Sequence, residues 1–320
     1  MQREILMFFQ EISFPALDVL VEGITMLGEQ YFYIAVITLV YWNISKRAGF
    51  LLASAYLFSA LVNAGIKLTV RAPRPFETLE GIEAKRVHTA TGYSFPSGHT
   101  QGAAGFFTAG ALLVRRRWAW AAAITAMVLV AISRVYLGVH WPVDVVFGLI
   151  FGVFCAWLVF ALAGRLMEDR NRFISVIRVI AITALVVTVV MLVLDGIGTF
   201  AGLKVSVFFK GAGTFVGALG GFYIEERFIR FDTVGDDHGE SFGSDGPLGD
   251  RRRKLLIKTV RYAAGVLTTV GLLVGLKGLF PEGNLFTSLR YFLLGAWITA
   301  LYPAVGIRLG LFGTEPRNSS

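Results

Sequence analysis

Residues 118–163 read WAWAAAITAMVLVAI, then SRVYLGVHWPVD, then VVFGLIFGVFCAWLVFALA. The two outer segments are almost entirely apolar, whereas the middle segment carries Arg134, His140 and Asp144. Ionisable side chains placed between membrane spans are costly, and they usually have a function. The stretch therefore indicates two membrane-spanning helices joined by a short polar segment that has a chemical role.

The composition supports the same class of protein over the whole chain. Of 320 residues, 55% are hydrophobic and only 16% are charged, which is too little polar surface to cover a soluble globular domain. Apolar runs recur along most of the length and predict an all-α, polytopic membrane helix bundle. The formal charge of +8 is typical of cytoplasmic loops and does not indicate nucleic-acid binding. A single cysteine, Cys155, excludes an internal disulfide.

Ten apolar stretches predict the spans, after an amphipathic stretch, Arg3–Glu11, that predicts a helix in the membrane interface. Several stretches are shorter than the roughly 20 residues of a perpendicular span, so we expect them to extend into the neighbouring polar segments. The predicted spans are Ala16–Leu27, Tyr31–Trp42, Ala48–Val70, Thr100–Val114, Trp118–Ile132, Val143–Ala163, Ile174–Leu194, Val205–Ile224, Leu255–Leu276 and Leu285–Leu311.

Basic residues concentrate in alternate loops and predict the orientation. Because basic loops stay in the cytoplasm, we expect both termini to be cytoplasmic in the cytoplasmic (inner) membrane. The segments around 71–99 and 134–140 then face the extracytoplasmic side. The basic groups are Lys46 with Arg47, Arg115 to Arg117, Arg165, Arg170 and Arg172, Arg227 and Arg230, Arg251 to Lys254, Lys258, and Arg308.

Three polar segments on the predicted outer side combine into a phosphate site. They are KLTVRAPRP (67–75), YSFPSGHT (93–100) and residues 133–144. Guanidinium groups bind phosphate oxygens in pairs, a lysine adds a point charge, and serine and glycine at a helix start add further donors. We expect the phosphate-binding residues to be Lys67, Arg74, Ser97, Gly98 and Arg134.

Two histidines add chemistry to this binding site. One imidazole can attack phosphorus while the other protonates the leaving oxygen. His140 and Asp144 are four residues apart and would share a helical face, and Pro142 suits the first turn of that helix. A carboxylate there would orient the ring, so we expect His140 as nucleophile, Asp144 as its orienting partner and His99 as acid.

The pattern Lys67-x6-Arg74-Pro75, Pro96-Ser97-Gly98-His99 and Ser133-Arg134-x5-His140-x3-Asp144 resembles the three-part signature of the type 2 phosphatidic acid phosphatases. Their superfamily also includes vanadium haloperoxidases and bacterial acid phosphatases. The resemblance covers roughly residues 14–166, a six-helix core. It implies a phosphohistidine on His140, acid catalysis by His99 and no metal or other cofactor.

The resemblance predicts a lipid phosphatase acting at the outer face on phosphatidic acid, phosphatidylglycerophosphate or a polyprenyl diphosphate. The expected partners are the lipid phosphate and the bilayer, with no nucleic acid. A phosphotransferase using the same phosphohistidine remains an alternative, as does a lipid transporter carried by the C-terminal helices. Haloperoxidase chemistry is disfavoured, because vanadate would have to replace a substrate that the site meets at the membrane.

The domain organisation follows from the extent of the resemblance. We expect a phosphatase core at 1–166 and an extension of about four transmembrane helices at 167–312, interrupted by a polar cytoplasmic loop at 225–254. The extension carries four cations near the predicted outer ends of its spans. Such cations usually snorkel to water, although a contact with lipid phosphate is the alternative. They are Lys204, Lys210, Lys277 and Arg290.

Overall fold

The computed structural model describes residues 1–233 and 246–315, with backbone alone at 246–250. Within these ranges the chain is almost entirely helical. The helices are α1 (Gln2–Glu11), α2 (Pro15–Thr25), α3 (Gln30–Asn43), α4 (Lys46–Val70), α5 (Pro75–Thr78), α6 (Gly98–Val114), α7 (Arg117–Tyr136), α8 (Pro142–Leu166), α9 (Arg170–Gly196), α10 (Ser206–Ile224), α11 (Gly246–Leu279), α12 (Asn284–Ala296) and α13 (Tyr302–Arg308).

The predicted all-α membrane fold is confirmed. Over the described ranges, seven helical segments are long and apolar enough to cross a membrane, or eight if one bent pair counts as a single span. That pair, Pro15–Gly28 and Gln30–Asn43, is bent by 48° and contains the first two predicted spans. The last predicted span consists of α12, a π-helical turn at Trp297–Leu301, and α13. The chain is thus a multi-pass membrane protein.

The predicted polar loop at 225–254 is shorter than the sequence suggests. A π-helical turn, Glu225–Ile229, continues α10, and a strand β1 (Phe231–Asp232) pairs antiparallel with β2 (Gly313–Thr314). At the other end α11 begins at Gly246, eight residues before the predicted boundary. Arginine and lysine are good helix formers, which explains why the basic run at 251–254 is helical. Residues 234–245 lie outside the described part of the chain.

Two compact units make up the described structure. One contains Met1–Ile34, Leu51–Arg165 and Gly198–Gly211; the other contains Ala35–Phe50, Leu166–Ile197 and the chain from Ala212 onwards. The first unit holds every residue predicted to bind phosphate or to catalyse. The short segment Gly198–Gly211 is the part of the predicted extension that belongs to this unit.

Glycines on α8 set the position of α6 in the first unit. A methyl group at Gly152 would lie 2.4 Å from the carbonyl oxygen of Gln101, and one at Gly148 would lie 3.1 Å from the carbonyl oxygen of Ser97. Any larger side chain would push the helices apart. This close approach places the start of α6 against the start of α8, where the backbone N–H of Ser97 donates to the carbonyl of Asp144 at 3.0 Å.

Aromatic side chains form the core of the second unit, around one buried arginine. Arg261 is 1% exposed, and its Nη1 donates to the carbonyl oxygens of Trp42 (2.8 Å) and Thr233 (3.0 Å). Its guanidinium also lies over the ring of Phe312, 4.4 Å from the centroid. Because a buried charge without partners is very costly, these contacts offset the cost of burying Arg261.

Candidate active site

Lys67 occupies the last turn of α4 and is almost completely buried, with 5% of its surface exposed. Its ammonium group donates to the backbone carbonyl of Tyr93 and to that of Ser94, the latter at 3.2 Å. Both acceptors belong to the segment just before α6. The polar segment that contains Lys67 is therefore joined to the second polar segment, as the sequence predicted.

Arg74 precedes α5 and is 2% exposed. Its Nη1 donates to the carbonyl oxygen of Val139 at 2.8 Å and lies 3.2 Å from Nε2 of His140. Its Nη2 donates to the carbonyl of Thr91 at 2.9 Å, and its Nε to that of Gly92 at 3.2 Å. The guanidinium thus links the loop before α6 to the loop that carries His140.

His140 and Asp144 are in direct contact, although they do not share a helix. His140 precedes the first residue of α8, Pro142, and its Nδ1 lies 3.2 Å from Oδ2 of Asp144. The same carboxylate oxygen accepts the backbone N–H of Trp141 at 2.9 Å and the hydroxyl of Ser94 at 2.5 Å. The expected contact is made by a carboxylate that reaches back from the first turn, which also satisfies a free helix N–H.

The protonation of His140 follows from its surroundings. The ring is 2% exposed and lies in the loop between two spans. Burial, and then the positive charges of Arg74 and Lys67, hold the pKa of His140 well below its usual value. The imidazole is therefore neutral at physiological pH, with Nδ1 toward Asp144 and Nε2 toward Arg74.

Ser97, Gly98 and His99 form the N-terminus of α6. Ser97 caps the helix and is fully buried, and its hydroxyl accepts a hydrogen bond from Thr100 Oγ1 at 3.0 Å. Gly98 is the first helical residue, so the positive end of the helix dipole lies here. Nε2 of His99 is buried, and over the described residues it has no hydrogen-bond partner. Gly28 packs against this ring, since a methyl group there would lie 3.1 Å from Cβ of His99.

Arg134 occupies the last turn of α7 and is fully buried. Its Nη1 donates to the hydroxyl of Thr25 at 2.9 Å, and its Nη2 lies 3.4 Å from the hydroxyl oxygen of Thr89. Arg134 and His99 are among the charges that act on His140, yet neither makes a direct hydrogen bond to it among the described contacts. The structure joins Lys67, Arg74, His140 and Asp144 through hydrogen bonds and places Arg134 and His99 beside them.

Sequence reasoning missed two parts of this site. One is Ser94, whose buried hydroxyl contacts Asp144. The sequence did offer a signal for it, because Ser94 is a polar residue in the same segment as Ser97, YSFPSGHT (93–100). The other is the set of backbone carbonyls that accept from Lys67 and Arg74, and these have no signature in side-chain identity. We call residues Thr91, Gly92, Tyr93 and Ser94 the carbonyl loop.

A cleft of about 320 Å³ opens beside Asp144. Its walls are mainly apolar, and Trp141 is fixed at its edge by a hydrogen bond from its indole to the carbonyl of Pro73 at 3.1 Å. The N-terminal helix α1 contributes one wall through Gln2, whose side-chain oxygen accepts the backbone N–H of Val143 at 3.2 Å. The lining residues are Gln2, Val70, Ala72, Phe95, Trp141, Val143 and Asp144.

Two family models match the chain. Residues 48–168 match the PAP2 superfamily, and residues 248–315 match the transmembrane extension of PAP2 superfamily phosphatases. The first range contains every residue predicted to bind phosphate or to catalyse. The second range covers most of α11, α12 and α13.

Curated relatives agree with this match. An undecaprenyl-diphosphatase of Sulfolobus acidocaldarius is 32% identical over 41% of this chain, and the match spans 63% of that protein, just under two thirds of its length. Phosphatidylglycerophosphatase B of Bacillus subtilis is 30% identical over 49% of this chain and 81% of its own length. Decaprenylphosphoryl-5-phosphoribose phosphatase of Mycobacterium tuberculosis is 32% identical over 40% of this chain and 68% of its own length. Taken with the intact three-part motif, these matches show that the chain belongs to the PAP2 superfamily.

Proposed function

We propose that this protein is a lipid phosphatase that removes a phosphate or diphosphate group through a phosphohistidine on His140. The observation that carries the proposal is the buried contact chain from Arg74 through His140 to Asp144, with separations of 3.2 Å on each side of the ring. A neutral imidazole held between a carboxylate and a guanidinium has one nitrogen oriented and the other directed toward a phosphate-binding group.

Nε2 of His140 is the attacking atom in this mechanism. Nδ1 carries the proton and donates it in a hydrogen bond to Asp144, so the lone pair of Nε2 can form the N–P bond. As that bond forms, the bond between phosphorus and the leaving oxygen breaks, and His99 donates a proton to the leaving oxygen. Water then attacks phosphorus, the N–P bond breaks, and His99 accepts the proton of the water.

Phosphate binding follows from the charges around the attacking nitrogen. Lys67, Arg74 and Arg134 are each at least 95% buried, so their charges act on a phosphate with little screening by water. The N-terminus of α6 adds the hydroxyl of Ser97 and the backbone N–H of Gly98 as donors. These groups stabilise the charge that develops on the phosphoryl oxygens in both steps.

A lipid is the substrate that suits this location. The site lies among membrane helices, and the apolar cleft beside Asp144 offers a place for the first carbons of a lipid chain. The relatives are named for undecaprenyl diphosphate, phosphatidylglycerophosphate and decaprenylphosphoryl-5-phosphoribose. We therefore propose a phosphatidate, a phosphatidylglycerophosphate or a polyprenyl diphosphate as substrate, with the core at 1–166 performing the reaction.

The side of the membrane follows from the basic loops. Arg115 and Arg116 join α6 to α7, and Arg117 begins α7, so all three lie at the helix ends opposite to His99 and Arg134. Because basic loops are retained in the cytoplasm, this polarity supports an active site on the extracytoplasmic side of the inner membrane, with the C-terminus in the cytoplasm. The N-terminal helix α1 contacts the active-site end of α8 through Gln2 and Val143, so the proposal places the N-terminus on the active-site side and departs from the expectation that both termini are cytoplasmic.

Phosphate release from a lipid panel tests the proposed function. The full-length protein, purified and reconstituted, is assayed with phosphatidate, phosphatidylglycerophosphate and a polyprenyl diphosphate, with His140→Ala as the matched control. We expect free phosphate from at least one lipid, without an added acceptor, and none from the variant. Release that requires an acceptor lipid or sugar would favour a transferase, and release that persists in His140→Ala would overturn the mechanism.

A further inference from the structure

The segment Gly198–Gly211 lies between the two family matches, which end at 168 and begin again at 248. It nevertheless belongs to the compact unit that contains the active site. It consists of the turn after α9 and the first residues of α10. Its contacts fall on the loops that hold the phosphate-binding cations.

The carbonyl loop holds two of these cations at once. Lys67 donates to the carbonyls of Tyr93 and Ser94, and Arg74 donates to those of Thr91, Gly92 and, at 3.3 Å, Tyr93. Gly92 has a φ of 71°, the left-handed region that favours glycine, and this turn aims successive carbonyls at the cations. The positions of both cations therefore depend on the position of this loop.

Lys204 reaches two groups next to the cations. Its Nζ lies 3.2 Å from Oε1 of Glu77, and Oε2 of the same carboxylate accepts the backbone N–H of Arg74 at 2.7 Å. The ammonium also lies 5.8 Å from the centroid of the Tyr93 ring, within the range of a cation–π contact. One lysine thus contacts two residues that hydrogen-bond Arg74: Glu77 accepts its backbone N–H, and the carbonyl of Tyr93 accepts from its guanidinium.

Val207, three residues after Lys204, packs against the carbonyl loop. A methyl group at Gly92 would be in van der Waals contact with Cγ2 of Val207 at 3.7 Å, so the valine lies directly beside the loop backbone. Lys204 lies two residues before α10, and Val207 is the second residue of that helix. The extension therefore touches the carbonyl loop through an apolar contact and a charged one.

We propose that the segment Gly198–Gly211 holds the carbonyl loop in the geometry that presents Lys67 and Arg74 to phosphate, with Lys204 as a positioning residue. The inference rests on the proposed function only in taking these two cations as phosphate ligands. It also revises the expectation for Lys204, which binds a carboxylate and an aromatic ring instead of extending freely into water.

The effect belongs to binding and not to the chemical step. Neither Lys204 nor Val207 contacts His140 or Asp144 in the described structure. Without the contacts of Lys204 and Val207, the carbonyl loop can adopt other positions. Phosphate binding must then order the loop again, and the entropy cost of that ordering lowers the affinity for phosphate. An exposed ion pair contributes only modestly, so a loss of about two- to fivefold in affinity is expected for one substitution.

Binding of inorganic phosphate to the full-length protein tests the inference without turnover. We expect Lys204→Met to raise the dissociation constant about two- to fivefold, and Lys204→Met with Val207→Ala to raise it further. Lys277→Met is the matched control, because Lys277 is an exposed lysine at the end of α11 in the other compact unit. Equal affinity in wild type and Lys204→Met, or an equal loss in Lys277→Met, would overturn the inference.

A charge exchange separates positioning from a general loss of structure. The pair Glu77→Lys with Lys204→Glu restores the ion pair with reversed sign, and we expect it to bind phosphate better than either single variant. With a lipid that the wild type hydrolyses, Lys204→Met should raise KM by about the same factor and leave kcat within about twofold. A fall in the kcat of Lys204→Met at constant KM would contradict the role of Lys204 as a positioning residue. So would an exchanged pair whose loss of phosphate affinity equals the sum of the losses in the two single variants. Absence of lipid hydrolysis in the wild type would instead reject the proposed function, while the phosphate titration still stands.

Discussion

At the scale of single residues, three donors converge on one carboxylate oxygen. Oδ2 of Asp144 accepts from His140, Trp141 and Ser94, at 3.2, 2.9 and 2.5 Å. A buried carboxylate with several donors is held in one orientation, and it fixes the imidazole in turn. The proposed nucleophile, His140, is thus held by Asp144, which Ser94 holds in turn, and only Asp144 was predictable from its spacing.

Removing the Ser94 hydroxyl tests this arrangement. Ser94→Ala takes one donor from Asp144 and loosens the carboxylate, so we expect kcat to fall about tenfold or more, in line with a lost hydrogen bond to a charged group. KM should change less, because the backbone carbonyl of Ser94 still accepts from Lys67. The conservative variant Ser94→Thr retains a hydroxyl and should recover part of kcat. Wild-type kcat in Ser94→Ala would show that the contact has no role in positioning.

The lowered pKa of His140 predicts the acid side of the pH profile. In the proposed mechanism the neutral ring is the nucleophile, and a lowered pKa of His140 keeps the ring neutral to lower pH, so activity should persist below the ordinary histidine value of about 6.5. We expect kcat/KM, corrected for ionisation of the substrate, to decline only under that value. An acid-side inflection above about 6.5 would contradict the electrostatic account. The charged or titratable groups that face His140 are Lys67, Arg74, His99, Arg134 and Asp144.

The carbonyl loop marks the limit of sequence reasoning at this scale. Spacing and side-chain chemistry predict which residues bind phosphate, because Lys67 and Arg74 are identifiable by charge. Their partners in the structure are main-chain oxygens of Thr91, Gly92 and Tyr93. Any residue supplies such an oxygen, so its direction depends on tertiary structure and leaves no pattern in the sequence.

At the scale of elements, the length of each apolar stretch predicted which helices exist. The predicted helix boundaries were less accurate, because polar residues lie at the helix ends. The span predicted at Trp118–Ile132 extends to Tyr136 in α7, so that Arg134 lies on the helix. A charged residue ends an apolar run in the sequence, but it continues a helix readily where the side chain finds buried partners. The longer α8 and α11 have a different cause, because Arg165 and the basic run at 251–254 are exposed, and arginine and lysine are good helix formers in their own right.

The packing of α6 on α8 makes a prediction about one glycine. Gly152→Ala places a methyl group 2.4 Å from the carbonyl oxygen of Gln101, so the helices must separate. We expect a destabilisation of about 1–3 kcal/mol, typical of overpacking, measured as a lower thermal midpoint in detergent. Gly164→Ala on the same helix is the control, since its methyl group would have no neighbour within 4 Å. Equal midpoints for the two variants would contradict this view of the interface.

At the scale of the whole molecule, the chain is a multi-pass membrane protein, and the compact unit that holds the candidate active site includes a segment of the predicted extension. The family resemblance predicted the core, whereas the membership of Gly198–Gly211 in the same unit is a property of the fold. Apolar helices resemble one another in composition, so their partners cannot be read from the sequence. The role proposed for that segment rests on the contacts of Lys204 and Val207.

Topology is the prediction that belongs to this scale. In a Cys155→Ala background, cysteines at Glu83 and Arg116 should label from opposite sides of the membrane, because both positions are exposed and the proposed orientation separates them. We expect an impermeant reagent to label Glu83→Cys in intact cells, and Arg116→Cys only after permeabilisation. The reverse pattern would place the active site in the cytoplasm. Gly243, in the polar loop predicted to be cytoplasmic, lies outside the described residues.

The central claim is that phosphate is transferred to His140 before it reaches water. Its most direct measurement is rapid quenching of the full-length protein with a lipid that carries a radiolabelled phosphate, followed by detection of protein-bound label. We predict an acid-labile, base-stable label on wild-type protein that is absent from His140→Ala, while the variant keeps the wild-type thermal midpoint within a few degrees. Label that survives in a folded His140→Ala protein, or turnover without any labelled protein under single-turnover conditions, would contradict the account.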